Sequence, residues 1–360
     1  MSFRTKRVLI GSLFYALLTF IVLNYLFSLF GGIDKIYTLL IAILLLLMQT
    51  VPMFFEEKKS TSIGRLFTRL YGIWQWTLVM LIIYLAVIYI VSTFISIPTI
   101  ILATILSTIP IIGVYAYYNA HRLVVKKRTL EFENIPEEYN IVQLSDVHFG
   151  SIRHKELIHD LKEKLNELSD TCDLAIISGD LADGSCCVEE DDLIELKEVN
   201  MPIIFTSGNH DYYPGIENVH KACKKAGMII LENRGMQYGN LNIYGLSYSF
   251  GDIPMPSKEE LENFIDEDMI NIINYHIPNG WKQLSELGFD IQLSGHTHGG
   301  QFYPVTFFGN MMYEGHNMGL FKDDLNHYLH VTTGVGCMDF PMRWGTNSEL
   351  VILKLRKKID

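Results

Sequence analysis

Four long apolar runs fill the first 118 residues and constrain how this part of the chain can fold. They cover about residues 8–30, 36–55, 74–94 and 95–118. Each is close to the roughly 20 residues that a helix needs to cross a bilayer, and their longest stretches have no polar helical face. The sequence therefore predicts four transmembrane helices within residues 1–121, rather than four core helices of a soluble domain. A cleaved signal peptide is a poorer interpretation, since a second run follows the first after only a short loop.

Basic residues in the segments that flank these runs alternate between high and low numbers. Three Lys or Arg precede the first run, and four follow the last. The first loop between runs contains one, the second contains four and the third contains none. By the positive-inside rule, this alternation places the N-terminus and everything after Arg128 on the cytoplasmic side of the cell membrane. The prediction requires the third and fourth runs to be separate spans, because one merged span would place the C-terminal part outside.

Charge divides the chain at the same boundary. Residues 1–128 carry 12 Lys and Arg against three acidic residues, whereas the remainder carries 17 against 37. Such an acidic segment repels phosphate backbones, which argues against nucleic acid as a partner. The charged residues 122–138 are predicted to be a linker, and residues 139–360 a soluble domain.

Five segments of the C-terminal part share one pattern, in which a short β-rich apolar run ends at Asp, Asn or His. They are YNIVQLSDVH, CDLAIISGD, MPIIFTSGNHD, MINIINYH and FDIQLSGHTH. The apolar runs have the length of buried strands, and helical periodicity lies between them, most clearly from His154 to Leu168. Alternating strands and helices predict an α/β domain, in which ligand sites form beyond the carboxyl ends of the strands.

Metal-binding residue types are collected at these predicted strand ends. They are Asp146, His148, Asp180, Asn209, His276, His296 and His298. In SGHTHGGQ, two histidines at i and i+2 on extended backbone would point to the same side, and the glycines permit close backbone approach. Imidazoles and carboxylates that converge on one point suit a divalent transition metal, and seven such ligands indicate two ions. Without a cation, burying these groups together would be strongly unfavourable.

The motifs DVH, GDLADG, GNHD, a lone His after a strand, and GHTHGGQ resemble, in this order, those of the calcineurin-like metallophosphoesterases. The resemblance covers about residues 139–355, and five motifs that each follow a strand make a specific signal. The SGHTHGGQ form, with NRG upstream and FPMRWG near the end, is similar to the membrane-associated branch of the family. The resemblance implies a four-layer α/β sandwich, with two central β-sheets flanked by helices, after the four-helix transmembrane region.

The resemblance also implies how the seven ligands divide. The first metal would be bound by Asp146, His148 and His298, the second by Asn209, His276 and His296, and Asp180 would bridge the two.

Four further residues receive expected roles. The resemblance implies that His210 acts as general acid or transition-state donor and that Asp211 orients it. Asp183 is expected to hold its loop rather than to bind a metal. For Arg343, two interpretations stand side by side, a bidentate contact to a substrate phosphate and a surface salt bridge.

Together these features predict a membrane-anchored, metal-dependent phosphoric ester hydrolase. Two divalent ions, with Mn²⁺ favoured over Fe²⁺ or Zn²⁺, would supply a bridging hydroxide that attacks the phosphorus of a phosphodiester or pyrophosphate. Four helices exceed what anchoring requires, so the expected substrate is a lipid or a nucleotide-linked lipid. The alternative is a non-catalytic metal-binding scaffold, or a regulatory domain on a membrane transporter.

Overall fold

Four long helices open the structure, a computed structural model that describes residues 3–56, 58–133, 135–248 and 255–358. They are α1 (Phe3–Ser28), α2 (Lys35–Glu56), α3 (Ser62–Ser92) and α4 (Thr99–Ala120). Each is long and apolar enough to cross a membrane. The predicted four-helix region is confirmed.

The third and fourth apolar runs form two helices rather than one. α3 ends at Ser92, and α4 begins at Thr99 with Pro98 at its N-cap position. Proline suits a helix start, because the amide hydrogen that it lacks would have no partner there, and it disfavours helical backbone at the residue before it. α3 begins at Ser62, earlier than the predicted residue 74. Its N-cap residue is Thr61, whose side chain accepts a hydrogen bond from the amide of Gly64. The separation of α3 and α4 is the condition on which the predicted sidedness depends.

The described part of the C-terminal region contains two six-stranded mixed sheets. In spatial order, the first sheet consists of β1 (Leu123–Phe132), β12 (Ser348–Lys357), β2 (Tyr139–Leu144), β3 (Leu174–Ser178), β4 (Ile203–Thr206) and β5 (Ile229–Ile230). The second consists of β10 (Gly319–Lys322), β11 (Tyr328–Val331), β9 (Ile291–Ser294), β8 (Ile270–Tyr275), β7 (Leu241–Leu246) and β6 (Arg234–Tyr238). The five predicted strands are β2, β3, β4, β8 and β9. Because β2, β3 and β4 are parallel, as are β8 and β9, their carboxyl ends share one edge of each sheet.

Alternating side chains of the strands separate the domain into four layers. Ile141 of β2 and Ile243 of β7 belong to the core between the sheets, whereas their neighbours Val142 and Tyr244 face outward. The helices that cover the two outer faces are α5 (Lys155–Leu168) and α6 (Ile216–Lys225) on the first sheet, and α7 (Lys258–Phe264) and α8 (Trp281–Glu286) on the second. A ninth helix, α9 (Val305–Met312), follows β9. This is the predicted four-layer sandwich.

The prediction of a linker over residues 122–138 is wrong for most of its length. Leu123–Phe132 form β1, which pairs in parallel with β12 along its whole length. The charges are compatible with an edge strand, because Lys126 lies 2.6 Å from the carboxylate of Glu349 on the neighbouring strand. Leu130 is fully buried between the sheets. The soluble domain therefore begins directly after α4.

The helix bundle packs against the soluble domain. At the end of α4, Nδ2 of Asn119 donates to the carbonyl oxygens of Arg343 and Thr346, at 3.1 and 2.7 Å. Phe302 and Met342 of the soluble domain are buried in the same hydrophobic cluster as Trp76 of α3. The bundle and the domain thus share one core at this contact.

Candidate metal centre

All seven predicted ligands lie beyond the carboxyl ends of the parallel strands. Asp146 and His148 follow β2, Asp180 follows β3, Asn209 follows β4, His276 follows β8, and His296 and His298 follow β9. Six of the side chains are buried, and that of His296 is partly exposed. The strand pairing therefore gathers residues that are far apart in the chain at one edge of the sandwich.

Asp146, His148 and His298 form the first group. Nε2 of His298 lies 3.0 Å from Nε2 of His148 and 3.3 Å from Oδ1 of Asp146. Oδ1 of Asp146 has no hydrogen-bond partner among the described residues. The three ligand atoms lie within 4.8 Å of one another, so the group could hold a metal ion.

Asp180, His276 and His296 form the second group. Nε2 of His276 lies 3.1 Å from Oδ2 of Asp180 and 3.2 Å from Nδ1 of His296. The same Asp180 oxygen lies 3.9 Å from Nε2 of His148 in the first group. Asp180 thus faces both groups, as the predicted bridging role requires. Oδ1 of Asn209 is buried and has no partner among the described residues, as a ligand atom would.

The ionisation of these groups fits the binding of cations. Burial opposes the charge on Asp146, but His298 and His148 hold the pKa of its carboxyl well below the ordinary value. Burial and the neighbouring His276 lower the pKa of His296 to about 4. Burial opposes a proton on His276, but Asp180 raises the pKa of that ring to about 9. The proton on His276 thus offsets the negative charge of Asp180, as a bound cation would. Despite burial, Asp146 and Asp180 also raise the pKa of His148. Ionised carboxylates and neutral imidazoles are the forms that bind metals, so His148 and His276 would release their protons when a cation binds.

Left-handed backbone occurs at five of the seven ligands. The φ angles are 50° at Asp146, 50° at His148, 54° at Asp180, 71° at His296 and 50° at His298. Residues other than glycine adopt such conformations at a cost of about 1–3 kcal/mol each, and they do so mainly at functional sites. The extended backbone predicted for His296 and His298 is therefore wrong, and the two rings join different groups rather than one.

Glycines make room for the ligands, as predicted for the SGHTHGGQ segment that contains Gly295. A Cβ atom at Gly295 would lie 2.3 Å from Oδ2 of Asp146, and one at Gly208 would lie 2.3 Å from Oδ1 of Asp180. Both distances are far shorter than van der Waals contact, so only glycine fits without displacing a carboxylate.

His210 lies beside the first group, with its ring centroid 4.8 Å from that of His148. Nδ1 of His210 lies 3.1 Å from the carbonyl oxygen of Asp183, and this contact orients the ring. The carboxylate of Asp183 accepts hydrogen bonds at 2.6 Å from the amide and the hydroxyl of Ser185. Asp183 thus holds its loop, in agreement with the role expected for it.

Asp211 does not orient His210 as expected, and this part of the prediction is wrong. Its fully buried carboxylate accepts hydrogen bonds from the amides of Asp180, Ala182 and Gly208, at 2.9, 2.8 and 2.8 Å. Burial and the charge of Asp180 raise the pKa of Asp211 to about 7, although the amides act in the opposite direction. Asp211 ties together the two loops that carry Asp180 and Asn209.

Neither interpretation of Arg343 is correct. The side chain is fully buried, and its Nη2 donates to the carbonyl oxygens of Thr333 and Gly336, both at 2.6 Å. Nη2 also lies 3.3 Å from Nδ1 of His298, on the side of the ring opposite Nε2, the nitrogen that faces Asp146. The amide of Arg343 donates to the carbonyl oxygen of Ala116 in α4 at 2.9 Å. Arg343 therefore connects a candidate ligand to the helix bundle.

A cavity of about 350 Å³ lies between the bundle and His210, which is next to the candidate metal centre. The domain contributes His210, Asp183, Tyr213 and Asp339, and the helices contribute Ser12, Tyr15, Gln49 and Gln75. Sequence reasoning missed the four helix residues. The available signal was the presence of polar side chains inside otherwise apolar runs, which often marks functional positions in membrane helices.

The segment that carries these ligands matches a known family. Residues 139–300 match the family model described as calcineurin-like phosphoesterase. This chain belongs to the calcineurin-like phosphoesterase family. The match contains all seven ligands together with His210 and Asp211, and it ends before Arg343 and α9.

Two of three similar proteins carry names that agree with this assignment. A Helicobacter pylori protein named uncharacterized metallophosphoesterase is 27% identical over 67% of this chain and 66% of its own length. Uncharacterized protein YpbG of Bacillus subtilis is 34% identical over 58% of this chain and 80% of its own length. A Danio rerio protein named transmembrane protein with metallophosphoesterase domain is 28% identical over 69% and 61%. The chain thus spans slightly less than two thirds of the first and third of these relatives.

Proposed function

We propose that this phosphoesterase hydrolyses a phosphodiester or pyrophosphate bond of a lipid or nucleotide-linked lipid, with two divalent metal ions, Mn²⁺ first among them. The observation that carries the proposal is the cavity between the bundle and His210. A smaller cavity that shares Gln49, Gln75 and His210 with it also reaches His148 of the first ligand group. The larger cavity places His210 in the same space as Ser12, Gln49 and Gln75 of the membrane helices. A substrate that reaches this space from the membrane would have its headgroup at the metal centre.

The seven ligands and His210 would divide the work of hydrolysis. Bound divalent cations lower the pKa of a coordinated water from 15.7 toward about 7 and offset the charge of phosphoryl oxygens. His210 borders the cavity and is oriented through the carbonyl of Asp183, so it can donate to a phosphoryl or leaving-group oxygen. Asp211 keeps the loops of Asp180 and Asn209 in register through its three amide contacts.

The composition of the cavity favours an amphiphile over a soluble nucleotide. Its helix side combines uncharged polar groups, from Ser12, Gln49 and Gln75, with apolar contact from Val8 and with the backbone of α1 at Gly11. Amide and hydroxyl groups bind a headgroup without the cost of a buried charge. A volume of about 350 Å³ is within the range of about 300–1,000 Å³ that is usual for small-molecule sites.

We also place the metal centre on the cytoplasmic side of the cell membrane. Short loops join the four helices, so the start of α1, the α2–α3 loop and the end of α4 lie at the end that contacts the domain. These three segments carry the Lys- and Arg-rich flanks, whereas the opposite loops carry one basic residue in total. By the positive-inside rule, the domain end is cytoplasmic.

The test compares hydrolysis of a monoester, a soluble diester and a lipid pyrophosphate by the full chain in lipid nanodiscs with Mn²⁺. His210→Ala is expected to lower turnover by about 10²–10⁴-fold, as loss of a general acid does. Asp180→Asn should abolish it, because the variant lacks the carboxylate that faces both groups. Gln75→Ala should raise KM for the lipid substrate only. Gln283→Ala, the same change on the exposed surface, should leave KM for every substrate unchanged.

Each result separates the alternatives. Turnover of the soluble diester at or above that of the lipid substrate, unaffected by Gln75→Ala, would contradict the assignment of an amphiphile. Mn²⁺ binding without hydrolysis of any substrate would favour the metal-binding scaffold. Unchanged turnover in Asp180→Asn would refute its bridging role.

A further inference from the structure

α9 presents large apolar side chains to the outside of the soluble domain. Phe307 is 68% exposed and Met311 is 82% exposed, whereas Thr306 and Gly309 face inward and are buried. Gly309 packs so closely that a Cβ atom there would lie 2.3 Å from the side chain of Asn317. A helix on a water-exposed surface has the opposite polarity, with its apolar stripe toward the core.

This apolar face is the main one on the soluble domain. From residue 121 onward, the described residues expose ten large apolar side chains, and five of these are in α9: Val305, Phe307, Phe308, Met311 and Met312. Residues 302–313 contain no Lys, Arg, Asp, Glu or His. A contiguous exposed apolar patch of this kind marks an interaction surface for a protein or a membrane.

Aromatic side chains connect α9 to the helix bundle. The ring of Tyr303 lies 5.1 Å from that of Phe307 and 5.4 Å from that of Trp344. Trp344 in turn packs against the hydrophobic cluster that contains Trp76 of α3. Tyr and Trp are enriched where a protein meets the membrane–water interface. The exposed face of α9 therefore continues the surface of the bundle at the domain end.

We propose that α9 is an interfacial membrane helix whose outer face inserts between the lipid chains of the leaflet next to the metal centre. A second copy of the chain is a weaker occupant, because an eight-residue helix is only about 12 Å long. Such a helix cannot supply the roughly 800 Å² per partner that a stable dimer buries. The bilayer, by contrast, already surrounds the adjoining helices. The inference goes beyond the proposed hydrolysis and does not depend on it.

Insertion would bring lipid to the edge of the metal centre. A groove of about 260 Å³ lies beneath α9, lined on one side by Phe308 and Met312 and on the other by His296 and His298. The groove thus connects side chains of α9 with two candidate ligands.

The test measures how deeply α9 enters a bilayer. In the full chain with Cys187→Ser, which removes the partly exposed native cysteine, Phe307→Cys and Met311→Cys are introduced singly and labelled with a nitroxide. Collision rates with oxygen and with a water-soluble nickel chelate are then measured in nanodiscs of phosphatidylcholine and phosphatidylglycerol. Leu325→Cys is the matched control. Leu325 is apolar and 76% exposed, but it precedes β11 and so lies at the end of the sheet opposite the metal centre.

The oxygen-to-nickel collision ratio is expected to be several-fold higher at positions 307 and 311 than at 325. Equal ratios at the three positions would overturn the proposal, as would dipolar broadening between labels of two copies, which would identify a second chain as the occupant. The measurement requires neither metal nor substrate. Failure of the hydrolysis proposal would therefore leave this result unchanged. Failure of the membrane-insertion proposal would likewise leave the hydrolysis result unchanged.

Discussion

Replacing Arg343 by Met tests whether a buried guanidinium keeps His298, a candidate metal ligand, in place. Nη2 donates to the carbonyl oxygens of Thr333 and Gly336 at 2.6 Å, and Nε donates to Gly336 at 3.2 Å. Met would leave both carbonyls buried without a donor, at about 1–3 kcal/mol for each group. We therefore expect a loss of about 2–6 kcal/mol in the free energy of unfolding.

The same change should weaken metal binding. The guanidinium contacts the ring of His298 at 3.3 Å, on the side opposite the nitrogen that faces Asp146. Together with burial and His148, its charge keeps the pKa of His298 well below the ordinary value, which favours the neutral, metal-binding ring. A ring that binds a metal through Nε2 carries its proton on Nδ1, so Arg343 would position the ring by packing and charge rather than by a hydrogen bond. Groups that fix the orientation of a metal-bound histidine typically contribute 10- to 100-fold in metal affinity. At about 1.4 kcal/mol per tenfold, this corresponds to roughly 1.4–2.8 kcal/mol of binding free energy.

The assay is calorimetric titration of the full chain in detergent with Mn²⁺, accompanied by thermal unfolding. Arg343→Lys retains the charge but lacks the planar fork, so its affinity should fall between those of wild type and Arg343→Met. Arg356→Met is the matched control, because the Arg356 side chain is partly exposed and pairs with Glu131 at the surface. A normal affinity for Mn²⁺ in folded Arg343→Met would refute the positioning role.

Three further changes probe the contacts around the centre. Gly72→Leu should push α3 away from the domain, since a Cβ there would lie 2.6 Å from the carbonyl oxygen of Asp339; KM for a lipid substrate in nanodiscs should rise, and an unchanged KM would contradict this. Asp211→Ala should lower Tm more than Asp211→Asn, because it leaves three buried amides without an acceptor; equal Tm values would refute the loop-tying role. Burial lowers the pKa of His330 from 6.5 to about 4, so the unfolded chain binds this proton first and stability falls as the pH drops through that window. Melting curves of His330→Gln should therefore depend less on pH between 7 and 5 than those of wild type, and parallel curves would oppose the assignment.

The gathering of the ligands could be predicted from the sequence because it follows from strand direction. Asp146, Asp180 and Asn209 each end an apolar run, and parallel runs deliver their last residues to one edge whatever the details of the loops. The same logic missed β1, since Lys126 and Arg128 resemble a solvated linker until the neighbouring strand supplies Glu349 as partner. Edge strands tolerate charge, so periodicity alone did not distinguish the two.

The backbone of the ligand loops could not be predicted, because positive φ at Asp146 or His298 is unfavourable for the isolated residue. It is imposed by tertiary contacts such as the one between the amide of His296 and Oδ2 of Asp146, 150 positions apart. Arg343 was misassigned for a similar reason. A lone arginine in sequence is usually exposed, and only the folded loop at Thr333 and Gly336 provides the carbonyl oxygens that permit its burial.

The packing of the bundle explains why anchoring alone is a poor account of four helices. Phe302 and Met342 are buried against helix residues rather than within the sandwich, and the hydroxyl of Ser348 donates to Ala120 at 2.8 Å. A domain that is only tethered makes its core contacts by itself. Here, helix residues bury part of the domain core and accept a hydrogen bond from the start of β12. The path from Ala116 through Arg343 to His298 extends that dependence to the metal centre. The membrane region is therefore structurally part of the candidate site, and changes in helix packing should reach the ligands through this path.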